Sequence, residues 1–198
     1  MCSTPANNRA VFLDRDGVLI RDVDLLTEPS QIQTLAKVPD ALQRLAAGGF
    51  RLIVVTNQTV VARGLATEAQ VDQINATIAQ SLVAQGAPPI DRFYVCPHHP
   101  NATLPAYQSD CQCRKPRPGM LLRAAQDYNL NLSASFLVGD RMSDIVAGAK
   151  AGCRTVMVHS GWHRAAPIQT VEPMDAGIQP DWICEDLLAA ADWILNRQ

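Results

Sequence analysis

Short runs of β-branched and apolar residues alternate with helical stretches along this 198-residue chain, and that alternation limits its possible folds. Strands are predicted at residues 10–14, 51–56, 92–95, 135–139 and 155–159, with a weaker one at 181–184. Between them, 39–47 reads as a helix stopped by Gly48-Gly49. Residues 67–85 read as a long amphipathic helix with Val71, Ile74, Ile78 and Leu82 on one face. Stretches 118–128, 143–151 and 185–196 complete the helices. Strands alternating with helices imply an α/β fold: a Rossmann-like, mostly parallel sheet with helices on both faces. Two segments break the rhythm. Residues 96–117 are too long and too rich in Pro and Cys for an ordinary crossover, and 160–180 are expected to cover part of a pocket mouth. A single domain over 1–198 is expected.

Composition narrows the function classes. A hydrophobic fraction of 47% with 18% charged residues excludes a disordered chain. Seventeen basic and 19 acidic residues give a net charge of −2 with no basic block, so no nucleic-acid partner is expected. The apolar runs are too short to span a bilayer, and Met1-Cys2-Ser3-Thr4-Pro5 does not resemble a signal peptide. A cytoplasmic protein without a membrane partner follows as the expectation.

Four predicted strand ends carry the chemistry. The first strand runs into Asp14-Arg15-Asp16-Gly17, where Gly17 permits a sharp turn. On extended backbone, carboxylates two residues apart point the same way. Asp14 and Asp16 are therefore expected to converge beyond the carboxyl edge of the sheet, hold a divalent cation and supply a nucleophile and a general acid. The second strand ends in Thr56-Asn57-Gln58, which offers a hydroxyl to a phosphate oxygen. Arg114-Lys115-Pro116-Arg117-Pro118-Gly119 brings three cations to a helix N-terminus, with prolines fixing the direction of Lys115. The fourth is Val138-Gly139-Asp140-Arg141, which presents Asp140 as a metal ligand. Asp144, further on, serves either helix stabilisation or support of the metal ligands.

Three of the six cysteines cluster. Cys96-Pro97-His98 and Cys111-Gln112-Cys113, with twelve residues between the halves, form a C-x-H and C-x-C pattern. Cys96, His98, Cys111 and Cys113 make a closed Cys₃His set, the pattern of a structural zinc site, with a disulfide as the competing reading. Such a zinc ion would fix the loop carrying Arg114 and Lys115. His99 is the neighbouring alternative ligand but reads as an ordinary exposed histidine. Cys2, Cys153 and Cys184 read as fillers or idle thiols.

The four motifs in this order resemble those of the haloacid dehalogenase superfamily of phosphohydrolases. With the cysteine loop placed before Arg114-Lys115-Pro116, the chain is similar to one branch: the D-glycero-D-manno-heptose 1,7-bisphosphate phosphatases and related histidinol phosphatases. The matching residues include Leu13-Asp14-Arg15-Asp16-Gly17, Thr56-Asn57-Gln58, Ala62-Arg63-Gly64, Cys96-Pro97-His98-His99-Pro100 and Val138-Gly139-Asp140.

The resemblance implies a Mg²⁺-dependent phosphomonoester hydrolase without a large cap domain, acting as a monomer on the 7-phosphate of a heptose bisphosphate. It implies Asp14 as nucleophile and Asp16 as general acid/base, with Mg²⁺ held by Asp14, Asp140 and the Asp16 carbonyl. Thr56 and Lys115 would stabilise the phosphoryl group; Asn57, Arg114 and Arg141 would face the substrate. Two segments depart from the family pattern. Residues 21–26 stand where the family commonly has Gly-Tyr-Val, and Thr59-Val60 where it has Ser-Gly; both are expected to face the sugar. A histidinol-phosphate phosphatase is the nearest rival, and a catalytically inactive zinc-stabilised binding module is a rival of another class. A nucleic-acid 3′-phosphatase lacks the basic track it would need. Trp162 and His163 are further candidates for substrate contact.

Overall fold

A computed structural model describes residues 8–160, 175 and 177–197. Trp162, His163 and most of the 160–180 segment lie outside the described residues, as does Cys2. Six strands form one sheet: β1 (Ala10–Leu13), β2 (Arg51–Asn57), β3 (Arg92–Cys96), β4 (Phe136–Gly139), β5 (Arg154–Val158) and β6 (Trp182–Cys184). Their order is β3-β2-β1-β4-β5-β6, and every neighbouring pair is parallel.

Parallel strands need crossovers, and from β1 to β5 these are helical. They include α1 (Val38–Ala47), α2 (Thr59–Ala62), α3 (Glu68–Ala84), α4 (Gly119–Tyr128) and α5 (Met142–Ala151), while α6 (Leu187–Leu195) follows β6. Most predicted boundaries agree within two residues. The short α2 was not anticipated, because four residues are too few to show a helical period. It forms because Val60 and Val61 bury against Ala66 and Val71.

Alternation along the strands sorts the core into two layers. Val11, Leu13, Val54 and Val138 face α1, α3 and α6, where they meet Leu42, Ile78 and Ile194. Ala10, Phe12, Ile53, Val55 and Leu137 face the opposite way, onto Met120, Leu121 and Ala124 of α4 and Ala147 of α5. Helices thus cover both faces, and no large second domain caps the strand ends among the described residues. β6 is the outer edge, with Trp182 and Ile183 exposed. Among the described residues, no helix is long and apolar enough to cross a membrane.

The chain order fixes where a ligand can sit. β2 and β3 extend the sheet to one side of β1, and the chain then returns to place β4 on the other side. The crevice beyond the carboxyl ends of β1, β2 and β4 is the topological switch point, the usual ligand position in such sheets. Leu13 is in register with Val54 and with Val138, so Asp14, Thr56 and Asp140 follow at neighbouring strand ends.

Candidate active site

Beyond these strand ends lies a cavity of about 420 Å³, within the range of small-molecule sites. Asp14, Asp16, Thr56, Asn57, Arg114, Lys115 and Arg141 all line it. The turn after β1 is held by Gly17, whose φ of +82° suits glycine and whose N–H donates to the Ile20 carbonyl at 2.8 Å.

Lys115 is the hub. An ammonium has three donors, and here its Nζ lies 2.9 Å from Asp14 Oδ1, 2.6 Å from Asp144 Oδ1 and 2.8 Å from the Val55 carbonyl. Its backbone is fixed as well. Asn57 Nδ2 donates to the Lys115 carbonyl at 3.0 Å, and the Lys115 N–H donates to Asn57 Oδ1 at 3.1 Å. Burial alone would pull the ammonium down, but Asp14 and Asp144 reverse this and hold it above the usual lysine value. Asp144 serves two neighbours, since its Oδ2 also accepts from the Arg141 N–H at 3.1 Å, capping α5. Asp144 thus caps α5 and pairs with Lys115 at once. Gly139 makes the approach possible: a Cβ there would lie 2.2 Å from Asp144 Cβ.

Asp14, Asp140 and Asp144 each offer a carboxylate oxygen within a mutual span of 4.8 Å, an arrangement that could hold a metal ion. Both oxygens of Asp140 are buried without a hydrogen-bond partner among the described residues. Burial and the neighbouring carboxylates push Asp140 up to about 8, opposed by Arg141 and Lys115, and push Asp14 up to about 7, opposed by Lys115. Three carboxylates crowded beside one buried ammonium carry an excess of negative charge once they ionise. A divalent cation with oxygen preference fits this donor set in charge and in chemistry.

Asp16 takes a different direction from the one expected. It lines the cavity, but its carboxylate accepts from Arg15 and Gln58 and stays outside the Asp14–Asp140–Asp144 group. Thr56 Oγ1 accepts from Gln58 Nε2 at 2.8 Å, which leaves its own hydroxyl proton to donate. The three cations before α4 diverge. Lys115 enters the site, and Arg114 lines the cavity while donating to the His98 carbonyl at 3.1 Å. Arg117 turns back to the carbonyls of Asp110 and Cys111. Arg141 donates to Asp22 Oδ2 at 2.7 Å, so it reaches the cavity as one member of an ion pair.

The cysteine loop forms a second group of ligands. Cys96, His98, Cys111 and Cys113 place their ligand atoms within 4.8 Å of one another. Sulfur–sulfur separations of 3.1, 3.2 and 3.5 Å lie far above the ~2.05 Å of a disulfide. They are close to the ~3.8 Å edge of a tetrahedron with zinc–sulfur bonds of ~2.3 Å. His98 Nδ1 stands 3.5 Å from Cys113 Sγ and 3.9 Å from Cys96 Sγ, completing the set. Contacts with Cys96, Cys111 and His98 lower Cys113 to about 5 while the shared contact raises Cys96, so the crowded sulfurs favour a thiolate, the form that metals bind. Cys153 and Cys184 stand apart as free thiols. Burial raises them to about 12 and about 11, as fits idle fillers.

His99 corrects the sequence reading. It is half-buried and lines the cavity, and its pKa is lowered by burial and by Arg114 and Arg63. Arg15, Gln58, Asn75 and Asp22 had no assigned role. A signal existed for Asn75, a polar residue sharing the buried face of α3 with Ile74 and Ile78.

Comparisons with known proteins show what this chain is similar to. A sequence family described as HAD-hydrolase-like matches residues 112–190. The D-glycero-β-D-manno-heptose-1,7-bisphosphate 7-phosphatase of Yersinia pestis is 36% identical over 94% of this chain and 89% of its own length. The protein of the same name from Pasteurella multocida is 42% identical over 77% of this chain and 83% of its own. The crystal structure of the D,D-heptose 1,7-bisphosphate phosphatase from B. bronchiseptica, complexed with magnesium and phosphate, is similar with a TM-score of 0.81. It is 32% identical, covering 96% of this chain and 99% of that one.

Proposed function

The chain belongs to the heptose-1,7-bisphosphate 7-phosphatase family of haloacid dehalogenase-like hydrolases, and we propose that it removes the 7-phosphate of D-glycero-D-manno-heptose 1,7-bisphosphate. The observation carrying this reading is the buried carboxylate group at the switch point, where Asp14, Asp140 and Asp144 crowd together beside Lys115 and both oxygens of Asp140 lack a hydrogen-bond partner among the described residues. Mg²⁺ is the natural ion for it. Asp14 and Asp140 would hold it together with the Asp16 carbonyl, with Asp144 close behind. It would supply the positive charge that lets a carboxylate meet a phosphate dianion. That repulsion is on the order of 4 kcal/mol per charge pair at 4 Å in a partly wet site.

Asp14 attacks phosphorus in line, forming an acyl phosphate as the bond to the sugar oxygen breaks; Asp16 donates its proton to that oxygen. Asp16 then accepts a proton from water, whose oxygen attacks phosphorus and releases inorganic phosphate and free Asp14. Lys115 and the Thr56 hydroxyl neutralise the phosphoryl oxygens. Asn57 keeps Lys115 in place, and Arg114 and Arg141 meet the remainder of the substrate. Zn²⁺ in the Cys₃His set would leave no open coordination position, so it would shape the loop and take no part in the chemistry.

Phosphate release with Mg²⁺, compared between heptose bisphosphate and histidinol phosphate, tests the substrate. Faster turnover of the bisphosphate is expected; preference for histidinol phosphate would transfer the assignment to the rival branch.

A further inference from the structure

Arg15 stands between the two cavity carboxylates in sequence, yet its side chain is only 1% exposed. A buried guanidinium is costly unless its donors are matched, and here every branch is engaged. Nε donates to Asp16 Oδ2 at 3.0 Å and Nη2 to Asp16 Oδ1 at 3.1 Å, a two-point grip on one carboxylate. Nη2 also donates to Gln58 Oε1 at 2.8 Å, and Nη1 donates to Asn75 Oδ1 at 3.0 Å. Gln58 closes the network by donating from Nε2 to Asp16 Oδ2 at 2.9 Å.

We propose that Arg15, anchored by Asn75, is a positioning residue that holds Asp16 in the one orientation from which it serves the departing sugar oxygen. The inference rests on the acid role given to Asp16 above. A carboxylate offers about four acceptor sites, and three donors occupy two on Oδ2 and one on Oδ1. The remaining site, on Oδ1, is where the transferable proton rides. A planar fork fixes both oxygens of its partner, whereas a lysine would hold one point and leave the carboxylate free to rotate.

Asn75 is informative because it does not line the cavity. It lies on the buried face of α3, where an apolar residue would complete the packing with Ile74 and Ile78. Its Oδ1 is spent on Arg15. A merely structural asparagine would affect stability alone; one that aims the guanidinium must also affect proton delivery.

Leaving groups separate the two cases. A sugar alkoxide needs a proton as its bond to phosphorus breaks, and p-nitrophenolate does not. Asn75→Leu and Arg15→Met would be compared with the unaltered enzyme in Mg²⁺, measuring single-turnover cleavage of heptose bisphosphate and the p-nitrophenol burst from p-nitrophenyl phosphate. Sugar-phosphate cleavage should fall about 10-fold in Asn75→Leu and about 100-fold in Arg15→Met, while the burst changes less than about 3-fold. Equal losses on both substrates, or no loss in Asn75→Leu, would overturn the proposal. Asn75→Leu carries the test by itself if Arg15→Met does not fold. Asp16→Ala, run alongside, separates the two layers: full sugar-phosphate activity there removes the mechanism itself, and an inactive Asp16→Ala with equal losses in the other variants removes only the role of Arg15.

Discussion

The carboxylate group and the cysteine loop both gather metal-binding atoms within 4.8 Å, yet they are assembled in opposite ways. Asp14 lies far in sequence from Asp140 and Asp144, and the three are brought together by the pairing of β1 with β4 and by the first turn of α5. Strands buried on both faces hold them. Cys96 ends β3, and His98, Cys111 and Cys113 follow in the single irregular segment after it. There the ion would organise the chain rather than the reverse. The difference separates a site whose metal serves chemistry from one whose metal serves stability. Lys115 joins them, two residues after Cys113 and directly against Asp14.

Asp14→Asn tests the contrast most severely. Turnover of sugar phosphate should fall by at least about 10³-fold, as expected for loss of a nucleophile. The melting temperature should not fall, because the substitution removes a charge that burial already disfavours. An unfolded variant would show that the carboxylate group is structural after all. Lys115→Met comes next. It leaves Asp14 and Asp144 buried without their counter-charge, so it should cost about 3–5 kcal/mol in denaturant titration besides most of the activity.

Cys111→Ser should act in the other sense. Zinc content by elemental analysis and melting temperature should fall together, and activity should follow only as far as Lys115 is displaced. Complete zinc removal that left both stability and activity unchanged would abolish the distinction. Asn57→Ala is the mildest probe. It removes the paired hydrogen bonds to the Lys115 backbone and should cost about 1–3 kcal/mol. Substrate turnover should drop less than in Lys115→Met.

The strands were legible because apolar runs ending in acids or amides have a distinctive period, and the parallel order follows from helices between them. Asp14, Thr56, Lys115 and Asp140 could be named for the same reason, each standing where a strand or a proline-fixed turn ends. Asp22, Arg15 and Gln58 could not. Their importance lies in hydrogen bonds to residues far away, such as Arg141 for Asp22 and Asn75 for Arg15, and spacing in sequence carries no trace of those distances. The departing segment at 21–26 shows the limit well. It reads as loss of a family motif, whereas the fold uses Asp22 to pair with Arg141 at the cavity wall.

Gly139 contributes no reactive group, yet a single methyl placed there would collide with Asp144 and push it off the lysine that it shares with the nucleophile. A catalogue of inactivating substitutions for this enzyme should therefore include alanine at that position, ranked beside the loss of a charged side chain. Natural variation should be as restricted there as at the acids themselves, although nothing at that position ever touches phosphorus.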